Sequence, residues 1–122
     1  MLPDQESLVK RPDPRYQARI TIFYGLDPEE LLNDYAINIS SGGVFIEANG
    51  ILPEGTVLTI KFNLPNSDVV IYTHARVAWV NDRDNIKKSS LPPGMGLQFL
   101  TLSMEAMHTI RTFLDSGDFA LA

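Results

Sequence analysis

The 122-residue chain contains no cysteine. That single absence excludes disulfide frameworks, thiolate nucleophiles and cysteine-based zinc sites, and it leaves the redox compartment open. Histidine is nearly as scarce. His74 and His108 are the two present, too far apart for the close pairing of a helical metal site and with no tight carboxylate cluster beside either. Asp82 and Asp84 flank Arg83 but lack the glycine and closing glutamate of a calcium loop, so they read as solvated loop acids. No metal is expected. Apolar runs are short, such as Val44 to Ile46 and Ala78 to Val80, against the roughly 20 residues of a membrane-spanning helix. No membrane insertion is expected. Met1 to Glu6 carry no basic stretch leading into an apolar one, so no secretory signal is visible and a cytoplasmic location is the expectation. Asn38-Ile39-Ser40 fits a glycosylation acceptor pattern that means nothing without secretion. Positive charge is also in short supply. Ten Lys and Arg stand against fifteen Asp and Glu, for a net charge of -5, which argues against a DNA or RNA partner because phosphate-backbone affinity needs accumulated bases. Gly-x-Ser-x-Gly is absent, so Ser40 and Ser41 are not read as nucleophiles. No catalytic residue and no cofactor emerge, and an enzyme is not expected.

What is present suits one small domain. Hydrophobic residues make up 44% of the chain, enough for a single core without covalent staples. Residues 1 to 14, with Pro3, Pro12 and Pro14 and no apolar period, read as a flexible N-terminal arm. Tyr16 to Tyr24 is β-branched and aromatic and reads as a strand ended by Gly25. Asp27-Pro28-Glu29-Glu30-Leu31-Leu32 has a cap candidate, a first-turn proline and early acids, and predicts a short helical turn. Asp34 to Ile39 and Val44 to Ala48 read as strands joined through Ser40-Ser41-Gly42-Gly43, either a hairpin or a bulged bend. Thr56 to Leu64, Val69 to Asn81 and Gly94 to Leu100 complete six strands, separated by the turns Leu52 to Gly55 and Pro65 to Asp68 and by a polar loop from Asp82 to Pro93. Ser103 can cap a helix running to about Asp115, with Ala106, Met107, Ile110, Phe113 and Leu114 forming a core-facing stripe and Gly117 a stop. The predicted architecture is all-β dominated, a six-stranded antiparallel barrel over residues 15 to 117 with a C-terminal α-helix across one open end. Closure would protect the strand edges. Residues 118 to 122 read as a tail.

The charge is unevenly placed. Residues 1 to 19 hold Lys10, Arg11, Arg15 and Arg19 against Asp4, Glu6 and Asp13, and residues 20 to 122 hold six bases against twelve acids. Arg11-Pro12-Asp13-Pro14-Arg15 has Arg-x-x-x-Arg spacing, and Arg15 to Arg19 repeats it. Asn38-Ile39-Ser40-Ser41-Gly42-Gly43 fits [Asp/Asn]-x-Ser-x-x-Gly. In this order and across a strand, the two motifs resemble those of the PilZ domain, the bacterial receptor family for cyclic di-GMP. Gly42 to Ile46, Leu52 to Thr56, Arg76 to Val80 and Gly94 to Phe99 are similar to its strand and turn landmarks, so the resemblance covers roughly residues 10 to 115.

The resemblance implies a cyclic di-GMP receptor or adaptor. Its arginines would grip the ligand, while Asn38, Ser40 and Gly43 receive a guanine on the barrel surface. Guanidinium suits such a ligand because its planar fork matches phosphate oxygens and the guanine O6/N7 edge, and it also stacks on a base. Arg11 and Arg15 in an extended arm would stand roughly 13 Å apart at ~3.3 Å per residue, a reach that straddles a dinucleotide. The landmarks favour Arg11 and Arg15 as the gripping pair, with Arg19 within the strand and Lys10 as an added point charge. The implied mechanism is an arm that folds over the ligand, creating a surface read by an unidentified downstream protein. A monomer or weak dimer is expected. The alternative is a PilZ-like protein-interaction module that binds no nucleotide.

Overall fold

A computed structural model describes residues 15–117; the predicted arm, including Lys10 and Arg11, and the predicted tail lie outside the described residues. The elements are β1 (Tyr16–Gly25), β2 (Leu32–Ile39), β3 (Gly43–Glu47), β4 (Val57–Asn63), β5 (Val70–Asn81), β6 (Gly94–Phe99) and α1 (Met104–Ser116). All pairings are antiparallel, and the strands close into a barrel in the order β1-β2-β3-β6-β5-β4. Period-two alternation decides which face points inward. Ile20, Ile22 and Tyr24 of β1, Leu58, Ile60 and Phe62 of β4, and Ile71, Ala75 and Val77 of β5 are buried in one core. Each fully buried Val, Leu, Ile or Phe among them stabilises the fold by about 1.5–3 kcal/mol. Phe62 and Phe99 stack at 6.0 Å between centroids.

α1 begins where Ser103, in extended backbone, accepts a hydrogen bond on its Oγ from the Ala106 amide at 3.0 Å. Ala106 and Ile110 are buried against the barrel, with Phe113 and Leu114 half-buried beside them. Met107 departs from the predicted stripe and is 41% exposed. One residue beyond Ala106, it is turned about 100° around the helix, away from the barrel. Gly117 ends the helix in extended backbone, at φ -98°, rather than in the left-handed conformation that favours glycine. The predicted helical turn at 27–32 is a tight turn instead. The Glu30 amide donates to the Asp27 carbonyl and the Glu29 amide to Asp27 Oδ1, and Leu32 is already paired with Tyr24 in the sheet. The ladder claims the residues that a helix would need.

Two features of the barrel bear on the site. Three ladders slip by one residue: β1–β2 between Gln17 and Ile20, β2–β3 between Ala36 and Asn38, and β5–β6 between Val77 and Trp79. An extra residue on one strand breaks the alternation there and re-aims the side chains that follow. Closure itself depends on a short joint, since β1 meets β4 only through Phe23, Tyr24 and Gly25.

Candidate ligand-binding site

The site forms where the β2–β3 link meets the start of β1. In the link, the Ser40 amide donates to the Gly43 carbonyl at 2.9 Å, the Gly42 amide donates to Ser40 Oγ at 3.1 Å, and the Phe99 amide of β6 donates to the Gly42 carbonyl at 2.9 Å. The link is thus a tight bend sewn to β6. A Cβ on Gly43 would lie 2.0 Å from the Leu97 carbonyl oxygen, so this glycine permits the close approach of β6. Asn38 and Ser40 are both buried, at 4% and 2% exposure. The β2 bulge at Ile37 turns Asn38 onto this wall.

Arg15 lies across both. Its Nε donates to Asn38 Oδ1 at 2.7 Å and its Nη1 to Ser40 Oγ at 3.3 Å. The guanidinium is half-buried, and no carboxylate among the described residues pairs with it. Burial lowers its pKa from the ordinary value, because desolvation penalises the charged form. Arginine stays protonated regardless. The result is a partly desolvated cation held by neutral groups, an arrangement that an incoming anion would satisfy.

Beside Arg15 opens a cavity of about 300 Å³, bounded by Ser40, Gly42 and Gly43 on one side and by Trp79, Gly96 and Gln98 on the other. Trp79 faces outward because of the β5 bulge at Ala78. Its indole lies over Gly96, where a Cβ would meet Nε1 at 2.1 Å, and against Phe45 at 5.3 Å between centroids. A half-exposed aromatic ring next to a guanidinium offers a flat apolar surface for stacking. Sequence reasoning used Trp79 only as a strand landmark. The signal available was the chain's single tryptophan combined with Gly94-x-Gly96, since glycine inside a strand marks a close approach by another group.

Arg19, four residues on, is not on the patch with Arg15. It lies on the outer face with its guanidinium 4.0 Å above the Tyr35 ring, and with Asn38 it lines a second cavity of about 590 Å³. Arg15 and Arg19 therefore flank Asn38 from two cavities. Ser40 Oγ is engaged by Arg15, by the Gly42 amide and by the Gly43 carbonyl. Among the described residues, no three potential metal-ligating side chains come together.

The model of the PilZ domain matches residues 10–116 of the chain. The chain belongs to the PilZ domain family. That family is one of receptors and adaptors, and the closed six-stranded barrel with a C-terminal helix is shared with its solved structures. The inhibitor of motility MotI/DgrA of Bacillus subtilis superimposes with a TM-score of 0.68 at 22% identity, over 88% of this chain and 50% of that one. YcgR of Escherichia coli in complex with c-di-GMP gives 0.65 at 18% identity, over 88% and 45%. The PilZ domain of YcgR with c-di-GMP gives 0.64 at 18%, over 88% and 90%. This PilZ chain spans about half the length of MotI and of YcgR. No curated protein matches it. None of its helices is long and apolar enough to cross a membrane, among the described residues.

Proposed function

We propose that this PilZ chain is a receptor for cyclic di-GMP that passes the occupied surface on to a protein partner. The observation that carries the reading is the Arg15 guanidinium, partly buried on Asn38 and Ser40 without a carboxylate and bordering a cavity walled by Trp79. A cyclic dinucleotide supplies what that arrangement lacks, with phosphate charge for the cation and a flat base for the indole. Arg15 keeps its bond to Asn38 while its remaining N–H groups take the ligand. Lys10 and Arg11, five and four residues earlier in the chain, close over it, and Arg19 serves the neighbouring cavity. No catalytic step is assigned.

Calorimetric titration of the whole chain with cyclic di-GMP tests this. Wild type gives a saturable heat, Arg15→Ala weakens binding by about tenfold to a hundredfold, the equivalent of one charge-assisted hydrogen bond, and Ser40→Ala weakens it less. Arg15→Lys does not restore affinity, because an ammonium cannot reproduce the fork. Absence of saturable heat from a protein that still melts cooperatively overturns the reading.

A further inference from the structure

Charge is not shared evenly over the outside of the barrel. In a chain with a net charge of -5, the neighbouring strands β1, β4 and β5 contain no aspartate or glutamate. Their outward side chains include Arg19, Lys61, His74 and Arg76, all exposed, together with the exposed apolar groups of Phe23, Val57, Val70 and Tyr72. Register places Phe23, Lys61 and Tyr72 opposite one another across the three strands, so the Lys61 stem stands between two aromatic side chains with Cβ atoms about 5 Å away. Among the described residues the one ion pair joins Lys87 to Glu54, and Arg19, Lys61 and Arg76 have no carboxylate partner. Exposed apolar groups set together among unneutralised cations mark a surface for association.

The complementary element belongs to the same chain. The turn between β1 and β2 carries Asp27, Glu29 and Glu30, all exposed, between Leu26 and Leu32 at 64% and 62% exposure. Its shape is set in advance, since the Asp27 carbonyl and Oδ1 accept from the Glu30 and Glu29 amides at 3.0 Å each, which reduces the entropy lost on docking. Its position follows from Gly25. Alternation with the buried Tyr24 points Gly25 outward, and a Cβ there would lie 3.2 Å from the Glu30 carbonyl oxygen and 3.5 Å from Leu31 Cδ2. The turn therefore curls onto the outer face, beside the row that Gly25 forms with Thr59 and His74 and one row along from Lys61. An acidic, leucine-bearing projection thus stands on the same face as the cationic, aromatic wall and next to it.

We propose that this face is the contact between two copies of the chain, the acidic turn of each lying on the β1–β4–β5 wall of the other. Two complementary patches side by side on one face are what a two-fold axis between them requires, because both contacts then form together and the pair closes. Glu29 and Glu30 meet the cations of the wall, and Leu26 and Leu32 cover Phe23 and Tyr72. Within one copy these charges form no ion pair, so pairing supplies what each lacks. A contact built on exposed charges and a small apolar patch is weak and sensitive to salt.

Sedimentation equilibrium of the whole chain without nucleotide, from about 10 µM to about 1 mM, tests this. Wild type passes from one chain mass to two and stops there, and raising sodium chloride from about 0.05 M to about 0.5 M weakens the pairing at least about fivefold. Lys61→Glu and Glu30→Lys, both at exposed positions, leave cooperative melting intact and each weaken pairing at least about tenfold, because each change acts at both contacts of the pair. An equimolar mixture of the two variants associates at least about fivefold more tightly than either alone. In the mixed pair an acidic wall faces a basic turn, and the second contact keeps its native charges. A chain that stays single at about 1 mM overturns the proposal, as does pairing indifferent to both reversals or a mixture no tighter than its components. Mass rising beyond two copies overturns the closed two-fold arrangement. With nucleotide absent throughout, these outcomes are independent of whether the chain binds cyclic di-GMP.

Discussion

β4 and β5 run past one another for seven consecutive partners, from Val57 against Arg76 to Asn63 against Val70, without a slip. Ladders bordering Asn38 and Trp79 each slip by one residue. Both walls bury their inward side chains equally well, so the slips are not defects of packing. The regular wall alternates and, Thr59 apart, leaves its outward residues exposed. The slipped wall turns a carboxamide and an indole toward a shared surface and holds a guanidinium between them. Regularity serves the core, and controlled irregularity aims the groups that border the cavity beside Arg15.

That contrast can be broken by experiment. The largest effect belongs to Ile60→Ala on the regular wall. Ile60 is completely buried, and its loss should cost about 2–5 kcal/mol of unfolding free energy in urea. Trp79 emission and ligand affinity should stay as in wild type, and a shift in either would show that the two walls are not separable. Gly96→Ala on the slipped wall is expected to cost less, about 1–3 kcal/mol, yet to disturb the site more. The new Cβ would lie 2.1 Å from Trp79 Nε1, so the indole must swing outward. Because Trp79 is the only tryptophan, fluorescence reports this directly, as a red shift accompanied by weaker binding.

The smallest effect is a pH dependence at the regular end of β1. Tyr24 donates to Asp34 Oδ2 at 2.5 Å. Burial, followed by the hydrogen bond and the charge of Asp34, raises the Tyr24 phenol well above its ordinary value. Folding therefore favours the protonated phenol. Its contribution is fully present below about pH 10, the unfolded tyrosine value, and is lost as pH climbs toward the folded one. Denaturation of wild type and Tyr24→Phe across pH 8 to 11 should give curves that run parallel up to about pH 10 and draw together above it, and curves still parallel at pH 11 would refute the assignment.

The barrel was legible in the sequence because alternation is a local signal. Ile20-x-Ile22-x-Tyr24 and Ile71-x-Thr73-x-Ala75-x-Val77 declare their inward faces without reference to any partner strand. Asn38 and Ser40 were legible as a motif, and the structure brings Arg15 onto them. Other parts were hidden for physical reasons. Bulges depend on which residue of one strand faces which of another, so nothing in Ala78-Trp79 alone reveals that the indole turns outward. The loop from Asp82 to Pro93 looks polar and featureless until Asn81, read as the last residue of a strand, is seen to gather its backbone. Met107 misled because its neighbours Ala106 and Ile110 are truly buried, and a stripe read from sequence is about one residue wide of uncertainty on each side.

The short joint between β1 and β4 has a mechanical meaning. Residues before Phe23, including Arg19 and the stretch leading back to Arg15, hang from β2 on one side only. Their other tether is the core itself, where Ile20 and Ile22 are buried. Outward of those two side chains, a single row of hydrogen bonds to β2 carries the strand. The seam of the barrel is therefore closed by hydrogen bonds at one end of β1 and by apolar packing at the other, and the two arginines ride on the end that packing holds.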